Sequence, residues 1–332
     1  MKKIPIYAIV ICFIVISFIN VNPLNAQDFS SNLFVSHKAL GSIGLYSADG
    51  KHLKTIEVGP NPHEMVLSPD SKLIYVTDNG VMRWMDDADG GNTISIVDVA
   101  SLEKVGEIST GKFRRPHGID LDPATGLIAV TCEKPDRLLL IDPIAGKVLR
   151  DYPTGGTVSH NVILDNGAVW AYVTNITSNT VGAVNLYTGE VIQIPVGEEP
   201  QDGAFSKDGS ELFVACADGV RIINVEQKKV IGKVGSGCVR IDITPDGKKL
   251  IAASRPAAVE FIEPANRRVL GKIELPGDPF SLSISRDGRF AFTGAEEVNE
   301  FYVISIASQK VIKSLKTIEG AHPDPVIDIP AR

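Results

Sequence analysis

Short runs of β-branched and aromatic residues, separated by turn residues, recur along the chain from Asn32 onward. One example is Leu73–Thr77, which follows the turn Ser68–Ser71 and precedes a second run at Thr93–Asp98. Short apolar runs bounded by Gly, Pro, Asp and Ser predict β-strands. Long stretches with the 3.6-residue period of an amphipathic helix are absent after Ala26. The pattern therefore predicts an all-β fold.

The pattern of strands and turns repeats at a spacing of about 40 residues. Most copies contain a polar turn in which Pro presets φ, Asp bonds to its own backbone and Gly accepts positive φ. These turns lie at Ser68–Ser71, Ser206–Gly209, Thr244–Gly247 and Ser285–Gly288. Each copy contains four short strands, the number found in a propeller blade. The repeat thus predicts a β-propeller.

The count of inner strands sets the number of blades. Six inner strands are predicted to begin near residues 64, 117, 160, 201, 239 and 280, and a seventh at Pro325–Ile329. The first strands, from Asn32–Ser36 onward, lack an inner strand, so the two ends of the chain complete one blade. Such closure leaves no open sheet edge. We expect a seven-bladed β-propeller closed by its N- and C-terminal strands, with six or eight blades as alternatives.

Several segments resemble the YVTN repeat of bacterial extracytoplasmic β-propellers. They are Tyr75–Asp78, Asn92–Asp98, Tyr172–Asn175 and Asn179–Val181. The resemblance extends over nearly the whole chain after Ala26. It implies an exported propeller but no single activity, because related seven-bladed families include lactonases, polysaccharide lyases and redox-enzyme subunits.

Residues 1–26 have the layout of a signal peptide. Lys2 and Lys3 precede an apolar run, Ile4–Ile19, and a polar stretch ends at the small residue Ala26. A transmembrane anchor is disfavoured, since the run is short and no basic cluster follows it. We expect cleavage after Ala26, a single propeller domain over residues 27–332, a periplasmic or secreted location and no membrane anchor.

The charge excludes several classes of partner. The net charge is −7, and removal of Lys2 and Lys3 makes it more negative. An acidic chain with dispersed charges is a poor binder of nucleic acid through its phosphates. It also lacks a basic patch for anionic membranes. The remaining partners are a small molecule or another protein.

Five of the six histidines are predicted to lie on one face. In a propeller, the loops between blades and those between second and third strands open around the same mouth of the axial channel. His63, His117 and His160 begin three successive inner strands, and His322 precedes the closing one. These four form a candidate site for a divalent transition metal or for acid–base chemistry. Alternatively, each ring only bonds to backbone beside it.

Other polar and aromatic residues are predicted at the same mouth. Gln201 and Arg240 take the places of the histidines in later blades, and His37 and Asp78 end second strands. The insertion 79–91 contains Trp84, and exposed aromatic residues on long loops often contact ligands or partners. The candidate ligand- or partner-binding residues are His37, Asp78, Trp84, His117, Gln201 and Arg240.

Cys216 and Cys238 are predicted near each other on the same face. A disulfide bridge and two buried free thiols are both open for this pair. The sequence has no Gly-x-Ser-x-Gly elbow, no Cys-x-x-Cys-His haem attachment and no phosphate-binding glycine loop.

The predicted fold and the residues predicted at the channel mouth are compatible with two functions. The first is a scaffold that binds a small molecule or a protein at the channel mouth. The alternative is a metal-assisted enzyme, or the non-haem subunit of a periplasmic enzyme complex, of lactonase, lyase or redox type. We favour the first, because no nucleophile with its base is found in the sequence.

Overall fold

The computed structural model describes residues 29–329 as seven four-stranded antiparallel sheets arranged as a propeller. The predicted signal peptide lies outside these residues. Within them, the only helical elements are two 3-10 turns, Lys38–Leu40 and Glu296–Val298. No helix in this part of the chain is long and apolar enough to cross a membrane.

The strands follow one order in every blade, from the channel outward, and we number the blades from the closing one. Blade 1 consists of β28 (Pro323–Ile329), β1 (Asn32–His37), β2 (Ser42–Tyr46) and β3 (His52–Glu57). Blade 2 consists of β4 (Pro62–Leu67), β5 (Leu73–Asp78), β6 (Thr93–Asp98) and β7 (Glu103–Ser109). Blade 3 consists of β8 (Arg114–Leu121), β9 (Ile128–Lys134), β10 (Asp136–Asp142) and β11 (Lys147–Pro153). Blade 4 consists of β12 (Ser159–Leu164), β13 (Trp170–Asn175), β14 (Thr180–Asn185) and β15 (Val191–Pro195).

The last three blades repeat this order. Blade 5 consists of β16 (Asp202–Phe205), β17 (Glu211–Ala215), β18 (Val220–Asn224) and β19 (Lys229–Val234). Blade 6 consists of β20 (Cys238–Ile243), β21 (Leu250–Ser254), β22 (Ala258–Glu263) and β23 (Arg268–Glu274). Blade 7 consists of β24 (Ser283–Ile284), β25 (Phe290–Ala295), β26 (Glu300–Ser305) and β27 (Lys310–Lys316).

The predicted fold and its closure are confirmed. β28 pairs with β1 in antiparallel register, with Phe34 opposite Ile327 and Val35 opposite Val326. The C-terminal strand is therefore the inner strand of the blade that the N-terminal strands begin. The other inner strands start within three residues of the predicted positions.

The hydrophobic core lies between neighbouring blades. At the closing joint, Val35 and Val326 of blade 1 pack with Phe292 and Phe301 of blade 7, and all four are buried. Each buried side chain of this size stabilises the fold by about 1.5–3 kcal/mol. The alternation of apolar and polar residues along each strand places the apolar ones in these joints.

The threonine of the repeat joins one blade to the next. The Thr77, Thr131 and Thr174 hydroxyls donate to the backbone carbonyls of His117, His160 and Gln201 at 2.7, 2.6 and 3.2 Å. Each acceptor belongs to a residue within three positions of the start of the inner strand of the following blade. The repeat therefore positions the backbone of these three channel-mouth residues.

Aspartates on the inner strands form a second set of links deeper in the channel. The carboxylates of Asp120, Asp202 and Asp242 accept the backbone N–H of Leu164, Ile241 and Ile284 in the next blade, at 2.8–3.1 Å. Burial raises the pKa of Asp120 to about 6 and that of Asp242 to about 7, although these hydrogen bonds oppose the rise.

Cys216 and Cys238 are free and buried, so no disulfide joins them. The backbone N–H of Cys238 donates to the Cys216 carbonyl at 3.0 Å, which links blades 5 and 6. Burial raises the pKa of Cys216 to about 11, so this thiol stays protonated near neutral pH.

Candidate functional site: a covered cavity at the channel mouth

A cavity of about 340 Å³ lies at the mouth of the channel. Its walls come from the inner strands and from loops of several blades, and the insertion after β5 covers part of it. The lining residues are Lys38, His63, Met82, Arg83, Trp84, Met85, His117, His160, Glu199, Gln201, Arg240, Arg255, Phe280 and Asp324.

Three histidines form one wall of the cavity. The ring centroids of His63 and His117 lie 4.6 Å apart, and those of His117 and His160 lie 3.9 Å apart. All three residues are at most 5% exposed. They come from the inner strands of blades 2, 3 and 4, so the regular rotation between blades places their rings side by side, with the ring planes tilted at 52° and 38° to each other.

Each imidazole is held by its Nδ1 atom. Nδ1 of His63, His117 and His160 lies 3.0, 3.2 and 2.8 Å from the backbone carbonyls of Asn61, His160 and Gln201. A carbonyl only accepts, so Nδ1 bears the proton in each ring. Nε2 is then an unprotonated acceptor, and it has no hydrogen-bond partner within residues 29–329.

These imidazoles are neutral at ordinary pH. Burial lowers the pKa of all three well below its usual range. Positive charge acts in the same direction: Lys38 lowers the pKa of His63, and Arg240 lowers that of His160. The wall thus presents three unprotonated ring nitrogens, each with a lone pair that can accept a hydrogen bond.

Two buried cations lie on other sides of the cavity. Lys38 Nζ lies 3.0 Å from Glu296 Oε1 and 2.9 Å from Asp324 Oδ2. Arg240 Nη2 lies 2.5 Å from Glu64 Oε1. Burial alone would lower the pKa of Lys38, but the Asp324 and Glu296 carboxylates outweigh it and raise that pKa. Burial raises the pKa of Glu64 to about 7, although Arg240 opposes the rise.

Some buried polar atoms of residues around the cavity have no hydrogen-bond partner within residues 29–329. Nη1 of Arg240 is a buried donor without an acceptor, and Oδ1 of Asp324 is a buried acceptor without a donor. An unpaired buried polar atom costs about 1–3 kcal/mol. A bound ligand or ordered water must satisfy these atoms.

The insertion forms a cover that contacts blades on both sides of its origin. Towards blade 3, its backbone carbonyls at Trp84 and Ala88 accept from Arg115, and Ala88 also accepts from Lys134 at 2.8 Å. Within the loop, Asp86 accepts the backbone N–H groups of Met82 and Arg83. The loop therefore has a defined conformation.

On its other side, the cover reaches past blade 1 to blade 7. Arg83 Nη1 lies 2.9 Å from Glu296 Oε2, and its guanidinium stands 5.0 Å from the centre of the Phe280 ring. Arg255 stands 4.8 Å from the same ring. Phe280 thus holds two guanidinium groups at the rim through cation–π contacts.

Six of the residues singled out from the sequence line this cavity: His63, Trp84, His117, His160, Gln201 and Arg240. The other three do not. His37 lies inside blade 1, where its Nε2 is 2.8 Å from the Tyr46 hydroxyl. Asp78 accepts from Gly59 N–H and from the hydroxyls of Thr93 and Ser95. His37 therefore bonds within blade 1, and Asp78 bonds to β6 of its own blade and to the segment that connects blades 1 and 2.

His322 is the third predicted residue that does not line the cavity, and Asp324 lines it instead. His322 has φ of +50°, its backbone N–H donates to Asn299 Oδ1 at 3.1 Å, and its ring does not line the cavity. Asp324, two residues later, faces the cavity instead. The predicted set of four histidines is therefore not assembled, although three of its members meet.

The structure adds Lys38, Arg83 and Asp324 to the site, and Glu64 behind it. Glu64 directly follows His63 on an inner strand, and Arg83 precedes Trp84 in the insertion. Their positions beside His63 and Trp84 are the features of the sequence that could have indicated Glu64 and Arg83 as site residues. Lys38 and Asp324 meet only because the two ends of the chain share blade 1, which no local pattern reveals.

No group of three or more His, Cys, Asp or Glu side chains within residues 29–329 is arranged to hold a metal ion. The rings of neighbouring histidines are tilted at 52° and 38° to each other, and the buried positive charges of Lys38 and Arg240 act on His117. These charges disfavour a divalent cation at the Nε2 atoms.

Comparison with known proteins gives the fold only. No family model matches the chain, and no curated protein matches it. A solved protein of unknown function from Desulfotomaculum acetoxidans is similar with a TM-score of 0.74 and 15% identity, over 90% of this chain and 99% of that one. Hydrazine synthase from Kuenenia stuttgartiensis is similar with a TM-score of 0.65 and 15% identity, over 81% and 89% of the two chains. At this identity, the likeness establishes the propeller and no activity.

The imidazole wall leads to a pH prediction for His117→Asn. Asn keeps a donor for the His160 carbonyl but removes the titrating ring. Because the pKa of His117 is lower in the folded protein than in the unfolded chain, its contribution is fully present above about pH 6.5 and is lost as the pH falls towards the folded pKa. Between about pH 7.5 and 5, the wild type should lose about 2 kcal/mol more stability than the variant.

Urea unfolding at several pH values measures this difference, and His52→Asn on an outer strand is the control. Parallel pH dependence of wild type and His117→Asn would mean that His117 has an ordinary pKa and is not buried as described.

Proposed function

We propose that this protein is an exported propeller of the YVTN repeat type that binds a small ligand in the cavity at its channel mouth. The observation that supports this best is the unpaired Nη1 of Arg240, a buried guanidinium donor on a residue that lines a covered cavity. Since evolution rarely retains such an atom without a partner, the cavity is better explained as a binding site than as a packing defect.

The rigidity of the surroundings supports the same function. The threonine and aspartate links between blades hold the backbone of the histidine wall, and the cover is fixed to blades 3 and 7. A preorganised wall lowers the entropic cost of binding. The signal-peptide pattern of residues 1–26 supports a location in the periplasm or outside the cell for this proposed binding activity.

A protein partner is less well supported as the main ligand. The residues that bear the unpaired atoms line the same cavity as the insertion, and a cavity of about 340 Å³ fits a small molecule or a narrow side chain. The metal-assisted alternative lacks a ligand set in the described part of the chain.

Native mass spectrometry tests the proposal without prior choice of ligand. The purified protein is incubated with a mixture of low-molecular-weight metabolites, and retained compounds are identified from the complex. We expect a bound compound that is reduced or absent in Arg240→Lys, since Lys retains the charge but lacks the second terminal nitrogen of the guanidinium group. Retention of no compound, or equal retention by both proteins, would contradict the proposal.

A further inference from the structure

We infer that the ligand is a small, uncharged polyhydroxylated compound, namely a mono- or disaccharide or a cyclic polyol; this inference rests on the proposed function. The free hydrogen-bonding atoms, the charge balance and the aromatic rim of the cavity each favour this class.

The hydrogen-bonding atoms without partners favour a ligand that both donates and accepts hydrogen bonds. The acceptors without partners are Nε2 of His63, His117 and His160, together with Oδ1 of Asp324. The donor without a partner is Nη1 of Arg240. A hydroxyl group donates one hydrogen bond and accepts others. A compound with several adjacent hydroxyls therefore satisfies the acceptors and the donor at the same time.

The charges disfavour ionic ligands. A cation would approach the positive charges of Lys38, Arg83, Arg240 and Arg255. An anion would place its lone pairs against those of the three Nε2 atoms and of Asp324. The buried cations are already paired with Glu296, Asp324 and Glu64 at 2.5–3.0 Å. A neutral ligand leaves these pairs intact and avoids the cost of burying an unpaired charge.

The rim and the size of the cavity agree with this ligand. Trp84 and Phe280 line the cavity together with Met82 and Met85. Aromatic rings cover the apolar C–H face of a sugar while the buried wall meets its hydroxyls. The volume of about 340 Å³ lies at the lower end of the range for small-molecule pockets, about 300–1,000 Å³. A compound of one or two sugar rings fits a cavity of this volume.

Tryptophan fluorescence provides a direct assay. Trp84 and Trp170 are the two tryptophans of the chain, and Trp170 lies on β13 beside Lys228, outside the cavity. In a Trp170→Phe background, Trp84 alone reports. We would titrate a panel of neutral ligands (common hexoses, pentoses and disaccharides, and myo-inositol), the corresponding sugar acids and sugar phosphates, and Zn²⁺ and Cu²⁺ salts. We expect saturable changes from at least one neutral compound, with weaker binding of its acidic counterpart.

Two substitutions test the assigned contacts against a matched control. His117→Asn removes the Nε2 acceptor but keeps a donor for the backbone, and Arg240→Lys removes Nη1 but keeps the charge. Each should weaken binding about tenfold, the effect of one good hydrogen bond. His52→Asn changes a histidine that bonds to Thr55 on the outermost strand of blade 1 and should bind as the wild type does.

The outcomes separate this inference from the proposed function. Tight binding of a sugar acid, a phosphate or a metal ion with none of a neutral compound would overturn the inference and leave a small-ligand site in place. Failure of the whole panel would overturn the inference, and failure to retain any metabolite in mass spectrometry would overturn the proposed function as well. Binding of a neutral compound that neither substitution weakens would also contradict the inference, because the ligand would then lie elsewhere.

Discussion

Deletion of residues 323–332 is expected to abolish the cooperative unfolding of the propeller. The deletion removes β28, so β1 loses its inner partner and blade 1 is reduced to three strands. It also removes Val326 from the joint with blade 7 and leaves Lys38 without Asp324. An open ring exposes unpaired strand edges and a hydrophobic joint, which together favour aggregation.

Size-exclusion chromatography and thermal unfolding followed by circular dichroism measure this effect. Deletion of residues 330–332 alone is the control and should behave as the wild type does. A monomeric protein without β28 that melts at the wild-type temperature would show that the ring does not depend on joining the two ends of the chain.

The second large effect is expected from Arg240→Met. This change leaves Glu64 buried without its guanidinium partner. It also removes the positive charge that Arg240 places near Asp202. Removal of one member of a buried ion pair costs about 3–5 kcal/mol. In the variant, the pKa of Glu64 should rise further above its usual range, because burial already raises it and Arg240 no longer opposes it. A raised folded pKa means that stability is lost as the pH rises through it, so the deficit should grow from acidic to alkaline pH.

A double-mutant cycle with Glu64→Met isolates the pair. The double variant replaces both charges with apolar groups and should recover most of the stability that Arg240→Met loses. Urea unfolding of the four proteins gives the coupling energy. Additive losses in the double variant would mean that Arg240 and Glu64 do not act as a buried pair.

The fold followed from the sequence because every copy of the repeat encodes the same local interactions. The β-branched runs predict strands, and the turns such as Thr244–Gly247 separate them at fixed offsets. The closure by Pro323–Ile329 was also predictable from the sequence. The N-terminal strands lacked an inner strand, and the last inner strand lacked the other three strands of a blade. Local patterns repeated seven times are a strong signal, and errors at single boundaries do not change the topology.

The histidine wall was predictable for the same reason. His63, His117 and His160 occupy one position of the repeat in consecutive blades, and a propeller brings equivalent positions together around its axis. The same argument failed for His322, because positive φ at that residue turns the chain before β28 and Asp324 takes the place facing the cavity. A position in the repeat predicts where a backbone lies but not how an irregular entry to a strand directs a side chain.

The remaining site residues depend on contacts between distant parts of the chain. Lys38 meets Glu296 and Asp324, and Arg83 meets Glu296, across sequence separations that no repeat position encodes. His37 and Asp78 were predicted to contact a ligand at the mouth, but neither lines the cavity. Both occupy strand ends near the mouth, but hydrogen bonds within their surroundings direct the side chains away from the cavity.

The imidazole nitrogen resonances of His63, His117 and His160 test the central claim most directly. A long-range ¹⁵N–¹H correlation spectrum of the labelled protein distinguishes protonated from unprotonated ring nitrogens, and His52 provides an internal reference. We expect protonated Nδ1 and unprotonated Nε2 in all three rings, with the Nε2 resonances shifting when a neutral polyol saturates the protein. Protonated Nε2 atoms, or Nε2 resonances that stay unchanged while the ligand is bound, would contradict it.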